Sequence, residues 1–117
     1  MLFLCYPKCT TCQKAKKWLE DNGVAFDERN IKENRPSAEE LKSWHERNGL
    51  PLKKYFNTSG LQYKALGLKD KLPTMSESEQ VELLASDGML VKRPIFIGDG
   101  FVLVGFREAD WKKAFGK

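Results

Sequence analysis

Strand-like periodicity is confined to the two ends of this chain, while residues 31–88 between them carry only helical spacing and turn signals. Such an order admits few folds, because a sheet must be assembled from pieces far apart in sequence and covered by helices. At the start, the apolar run Leu2-Phe3-Leu4-Cys5 precedes a stretch from Gln13 to Asn22 in which Ala15, Trp18 and Leu19 continue the face that Cys12 begins. That spacing predicts an amphipathic helix ending at Gly23, followed by a short strand at Val24-Ala25-Phe26. Strand, helix and strand make a βαβ unit with a right-handed crossover. At the far end, Ile95-Phe96-Ile97 and Phe101-Val102-Leu103-Val104 flank Gly98-Asp99-Gly100, a strong hairpin signal. A last helix from about Glu108 can lay Trp111, Ala114 and Phe115 on the sheet.

The middle segment opens at Pro36-Ser37-Ala38-Glu39-Glu40, where Ser37 is placed as N-cap and Glu40 completes a capping box. Leu41 and Trp44 form the inward side of this helix, His45 lies beside that stripe, and Gly49-Leu50-Pro51 ends it. After the polar turn Asn57-Thr58-Ser59-Gly60, the residues Leu61, Ala65 and Leu66 suggest a short helix closed by Gly67. Ser76 caps another, with Glu79 at the boxed position and Val81, Leu83 and Leu84 as buried residues. Residues 31–88 therefore read as a wholly helical insertion within one domain, 1–117. The order β-α-β, helical block, β-β-α is an α/β, thioredoxin-like arrangement.

A chain of 117 residues can build one core without disulfide staples. Three cysteines are an odd number, which speaks against a secreted disulfide framework and for a reducing, cytoplasmic setting. The apolar start stops at Pro7, too short for a signal peptide or a membrane span. Twenty basic against sixteen acidic residues give a net charge of +4, dispersed in short clusters. This mild bias suits an anionic small molecule or an acidic protein surface better than direct nucleic-acid binding, which calls for a denser basic face. Lys16 and Lys17 read as the solvated face of the first helix.

The chemistry lies in Cys9-Thr10-Thr11-Cys12, at the strand-to-helix junction. If the helix opens near Thr10, both sulfurs meet its unpaired N–H groups and the positive end of its dipole. A cysteine so placed ionises in the range of roughly 3.5 to 7.5 instead of about 8.5. Residues three apart on a helix are neighbours at disulfide distance, so one thiol can attack and the other resolve. The alternatives are a zinc site or two unreactive buried thiols. Zinc would require Cys5, Cys9, Cys12 and His45 together, all the Cys and His there are, with Cys5 and Cys9 on opposite sides of a tight turn, so no metal is expected.

A second cluster is Arg93-Pro94-Ile95, where a proline opens a strand. In a thioredoxin-like fold this strand start passes beside the CxxC helix, and a cis X-Pro bond there would present backbone groups to a substrate sulfur; an ordinary edge-strand proline is the alternative. Arg93 and Arg107 open and close paired strands and could approach the same edge. A guanidinium near Cys9 would lower its pKa and could hold an oxyanion or carboxylate.

Tyr6-Pro7-Lys8-Cys9-Thr10-Thr11-Cys12, Asn57-Thr58-Ser59-Gly60 with Tyr63-Lys64 and Leu66-Gly67, Asp87-Gly88 before Lys92-Arg93-Pro94, and Gly105-Phe106-Arg107 together resemble the glutaredoxin-like arsenate reductase family, which also contains the Spx regulators. The resemblance implies a thioredoxin fold with a helical insertion and a catalytic cysteine at Cys9. It also implies oxyanion-binding roles for Arg93 and Arg107, a cis-proline at Pro94, and glutathione with glutaredoxin as reductant. Two places depart from glutathione-coupled arsenate reductases: Cys5 stands where they carry a histidine, and the Asn57-Thr58 region where they carry a third arginine. Cys12 replaces their hydroxyl residue, so the pair is more similar to Spx.

The expected function is a thiol-dependent oxidoreductase. Cys9 attacks an oxyanion or disulfide and Cys12 resolves, with Thr10, Thr11, Arg93, Pro94 and Arg107 as substrate contacts. No bound cofactor is expected, and glutathione or a thioredoxin or glutaredoxin system would supply electrons. The alternatives are an Spx-like redox switch that binds the RNA polymerase α subunit, and a thioredoxin-fold binding module with no reactive thiol.

Overall fold

The computed structural model describes residues 1–117. Four strands form one sheet: β1 (Leu2–Cys5), β2 (Asp27–Asn30), β3 (Ile95–Gly98) and β4 (Phe101–Val104), in the spatial order β2-β1-β3-β4. β1 pairs parallel to β2 and antiparallel to β3, and β3 pairs antiparallel to β4 with Gly98 opposite Phe101. Asp99 and Gly100 make the two-residue hairpin turn, for which Gly100 adopts φ +83°.

Side chains alternate across this sheet and divide the core in two. Phe3, Cys5 and Phe96 face α1 (Thr10–Asp21) and α6 (Glu108–Phe115), where they meet Cys12, Ala15, Trp18, Leu19 and Trp111. Leu4, Ile95 and Val102 face the other way, onto the helices of the middle segment. Those are α2 (Ala38–Asn48), α3 (Leu61–Ala65), α4 (Leu68–Lys71) and α5 (Glu77–Ser86), with 3-10 turns at Leu52–Tyr55, Leu72–Thr74 and Gly88–Leu90. The order β-α-β, helices, β-β-α is the thioredoxin-like fold with its helical block inserted between the halves.

Both capping boxes form: Ser37 and Glu40 exchange side-chain to backbone bonds at the start of α2, as Ser76 and Glu79 do at α5. Gly49 ends α2 in the left-handed conformation. Three expectations require correction. The second strand is Asp27–Asn30 and not Val24–Phe26, because this polar edge strand is defined by its pairing with β1, while Val24 and Phe26 pack beneath α1. The middle segment is not wholly helical, since Phe56 bridges Val91 in β fashion. In α5, Val81 and Leu84 are buried, whereas Leu83 is only half-buried, because it lies at the margin of the face that packs on the core.

Candidate active site

Cys9 is the N-cap residue of α1, with φ −83° and ψ 121°. It is half-buried, whereas Cys12, one turn further on, is buried, as is Cys5 at the end of β1. All three are free thiols. The local sequence explains the turn. Pro7 and Lys8 lead out of β1, Cys9 N–H donates to the Tyr6 carbonyl at 2.9 Å, and the Gln13 amide reaches back to the Pro7 carbonyl at 2.9 Å.

The pKa values of the two thiols of the pair are shifted in opposite directions. Partial burial pushes Cys9 up, but the backbone N–H and thiol of Cys12, the N–H of Thr11 and the charge of Arg93 together outweigh it, so its pKa is lowered. Cys12 is pushed up to about 12, chiefly by burial; the Tyr6 N–H, 3.4 Å from its sulfur, lowers it, while the neighbouring Cys9 and Cys5 raise it further. Burial, with help from Glu28, raises Cys5 to about 11 despite Lys16. The arrangement makes Cys9 the most readily ionised of the three thiols, beside two that burial keeps protonated.

Arg93 sits over the Tyr6 ring, 5.4 Å from its centroid, and its Nη1 donates to the Met89 and Val91 carbonyls at 3.4 Å each. Its Nε is buried without a partner. The Arg93–Pro94 bond is cis, and the buried Pro94 accepts through its carbonyl from Gly105 N–H at 2.8 Å. That contact ties the strand start to the corner between β4 and α6, where Trp111 Nε1 donates to the Gly105 carbonyl at 3.0 Å.

The sequence-predicted residues therefore fall into two groups. Cys9, Thr11, Cys12 and Arg93 converge on one sulfur. Arg107 is exposed and, with Thr11, lines a groove of about 690 Å³ beside the start of α1. Thr10 is exposed at the first position of the helix. Sequence reasoning missed Lys53, Lys54 and Lys92, which line the same groove. The basic doublets Lys53-Lys54 and Lys92-Arg93 were the available signal, but only the topology brings them together. No cluster of three or more His, Cys, Asp or Glu side chains is arranged for a metal ion. No helix is long and apolar enough to cross a membrane.

Known proteins are similar to this chain over nearly its full length. An uncharacterized protein of Bacillus subtilis (strain 168), YusI, is 56% identical over 97% of this chain and 96% of its own length. The global transcriptional regulator Spx of Enterococcus faecalis (strain ATCC 700802 / V583) is 31% identical over 92% of this chain and 80% of its own length. Among solved structures, a protein of Streptococcus mutans UA159 described as a possible arsenate reductase superposes with a TM-score of 0.87. It is 48% identical and covers 95% of this chain and 96% of its own. The profile of the ArsC family matches residues 4–114, a span that takes in the cysteine pair, the Arg93–Pro94 bond and Arg107 alike, and the chain belongs to that family.

Proposed function

We propose that this protein is a thiol–disulfide oxidoreductase in which Cys9 is the nucleophile and Cys12 the resolving thiol. The reading is carried by the placement of two thiols one helical turn apart at the start of α1, with their pKa values shifted in opposite directions. The Cys9 thiolate attacks one sulfur of a substrate disulfide, forming a mixed disulfide and expelling the other half as a thiolate. Loss of charge on Cys9 then removes two influences that hold Cys12 protonated, and the Tyr6 N–H remains to favour its thiolate. Cys12 attacks Cys9, the Cys9–Cys12 disulfide closes, and the second half of the substrate leaves as a thiol. Two electrons and two protons pass from the protein to the substrate. An external donor, glutathione or a thioredoxin or glutaredoxin system of the cytoplasm, returns the pair to its reduced form.

Thr11 N–H and the Arg93 charge serve Cys9 in this scheme, and Pro94 lines the approach of the substrate sulfur. A disulfide suits the site better than a small oxyanion, since Arg93 is already engaged with two carbonyls and Tyr6. Mixing the reduced protein with a neutral mixed disulfide should yield the Cys9–Cys12 disulfide by mass analysis, and Cys9→Ser should abolish it. Turnover of arsenate with no reaction toward disulfides would reverse the substrate assignment, and reaction with neither would end the reading.

The regulator relative favours one alternative, a redox switch whose Cys9–Cys12 disulfide governs binding to the RNA polymerase α subunit. Capture of that subunit by oxidised protein, and its loss in a Cys9→Ala, Cys12→Ala form, would favour this alternative over turnover.

A further inference from the structure

The groove beside α1 carries four cations, Lys53, Lys54, Lys92 and Arg107, against one carboxylate, Asp110. None of the four takes part in any of the ion pairs of the protein. Their positions are fixed by backbone contacts. Lys92 N–H donates to the Tyr55 carbonyl at 2.7 Å, Asn57 N–H donates to the Leu90 carbonyl at 2.8 Å, and Phe56 bridges Val91. The turn that carries Lys53 and Lys54 is thereby fastened to the strap that carries Lys92, Arg93 and Pro94. Gly105, at φ +75°, lies beside the Lys92 stem, where a Cβ would make an ordinary contact of 3.4 Å with Lys92 Cε.

Size and charge type together define the occupant. A small oxyanion fills only a few times the roughly 30 Å³ of a water molecule, far less than the groove's 690 Å³. Three of the four cations are lysines, point charges on flexible stems, which suit carboxylates spread along a chain better than one planar anion. Phe56 and Phe106 give the groove apolar wall between the charges. We infer that the groove seats an acidic peptide segment flanking the disulfide of a protein substrate, a step that rests on the thiol–disulfide reading above. The segment lies across Lys53, Lys54, Lys92 and Arg107 while its cysteine sulfur is presented to Cys9. The exchange is the one already written: the substrate disulfide is reduced to two thiols and the Cys9–Cys12 pair is oxidised.

The test uses the reduced full-length protein in single turnover. Three cysteine peptides, with acidic, neutral or basic flanks, are each supplied as a mixed disulfide with 2-mercaptoethanol, beside the mixed disulfide of glutathione. Attack on the acidic peptide should be about tenfold faster than on the neutral one at low ionic strength, the basic one slower still. The preference should fade by about 0.5 M salt and reverse in the Lys53→Glu, Lys54→Glu double variant. Equal rates for acidic and neutral peptides, or a preference that survives the double variant, would overturn the proposal. Equal acceleration of the glutathione disulfide would replace the peptide by a small anionic thiol. If no disulfide reacts, the thiol reading fails by itself. The groove is then judged by fluorescence anisotropy of the acidic peptide with serine for cysteine, where salt-sensitive binding lost in the double variant upholds it and no binding rejects it.

Discussion

The backbone N–H of Tyr6 points at the sulfur of Cys12 across 3.4 Å, while Cys12 in turn lowers the pKa of Cys9. The last residue before the active-site turn is thus linked through one thiol to the other. The influences on Cys9 rank in an order that can be tested by removal. Cys12 contributes both a backbone N–H and a thiol, and the charge of Arg93 ranks below these and the Thr11 N–H. Cys12→Ala should raise the pH midpoint of Cys9 alkylation more than Arg93→Met does, because the side-chain hydrogen bond outranks the charge. Each variant should slow alkylation at pH 7, and the helix N–H groups that remain should keep part of the stabilisation of the thiolate in place. A larger effect for Arg93→Met would invert the ranking.

Alkaline stability should depend on the redox state. Cys12 and Cys5 have folded pKa values of about 12 and about 11, against an ordinary 9.0. Above pH 9 the unfolded chain therefore binds fewer protons than the folded one, and stability falls as pH rises through that window. Cys9 works the other way: its lowered folded pKa adds stability as pH rises toward 9.0, stability that is lost as pH falls through its folded value. Closing the Cys9–Cys12 disulfide removes both of these groups and leaves the slope set by Cys5, by Tyr55, which burial raises to about 12, and by the paired Lys16 and Lys17, in both redox states alike. Urea midpoints of the reduced protein should drop more steeply between about pH 9 and pH 11 than those of the oxidised protein. Parallel curves would contradict the assignment.

Much of this architecture is legible locally, and the exceptions share a cause. The hairpin Ile95–Val104, both capping boxes and the buried face Cys12, Ala15, Trp18, Leu19 follow from alternation, 3.6 spacing and turn chemistry within short windows. β2 does not, because Asp27-Glu28-Arg29-Asn30 is an edge strand with little to bury and is specified by hydrogen bonds to β1. In the site, the cysteine pair announces itself by spacing. The groove lysines do not, because thirty-eight positions separate Lys54 from Lys92 and only backbone contacts of residues 55–57 with residues 90–92 join them. Arg93 and Arg107 look equivalent in sequence, yet one is folded over Tyr6 and the other is exposed at the groove.

Glu40 joins two stabilising devices. Its carboxylate accepts from Arg29 at 2.7 and 3.0 Å and from the Ser37 N–H at 3.0 Å, so it both closes the capping box of α2 and pairs with the strand β2. The Arg29 hydrogen bonds, opposed by some burial, hold its pKa below the ordinary value. That stability is present above the unfolded carboxylate range and lost as pH falls through the folded pKa. Because 36% of the Glu40 side chain is exposed, Glu40→Gln should cost only about 1 kcal/mol at pH 7. The gap between wild type and variant should close as the pH falls well below the ordinary carboxylate value of 4.5. A gap of constant size over that range would assign the effect to shape alone.

Gly88 is required by the close approach of two backbones. A Cβ at this position would lie 1.9 Å from the carbonyl oxygen of Ile31 and 2.9 Å from its carbon. Ile31 cannot retreat, being fully buried and anchored by its own N–H to the Cys5 carbonyl at 2.9 Å. The turn after α5 is equally committed, with Asp87 accepting from Met89 N–H at 2.9 Å. Gly88→Ala must therefore shift backbone at the junction of the helical block with β1 and β2, at a cost of about 3 kcal/mol or more. Gly67 provides the contrast: it has φ +63° but nothing within 4 Å of its missing Cβ. Gly67→Ala should cost only the left-handed backbone penalty of about 1–2 kcal/mol. Urea unfolding of the two variants at pH 7 should place Gly88→Ala clearly below Gly67→Ala. Equal midpoints would mean that the contact between Gly88 and Ile31 relaxes freely and does not join the two parts of the fold.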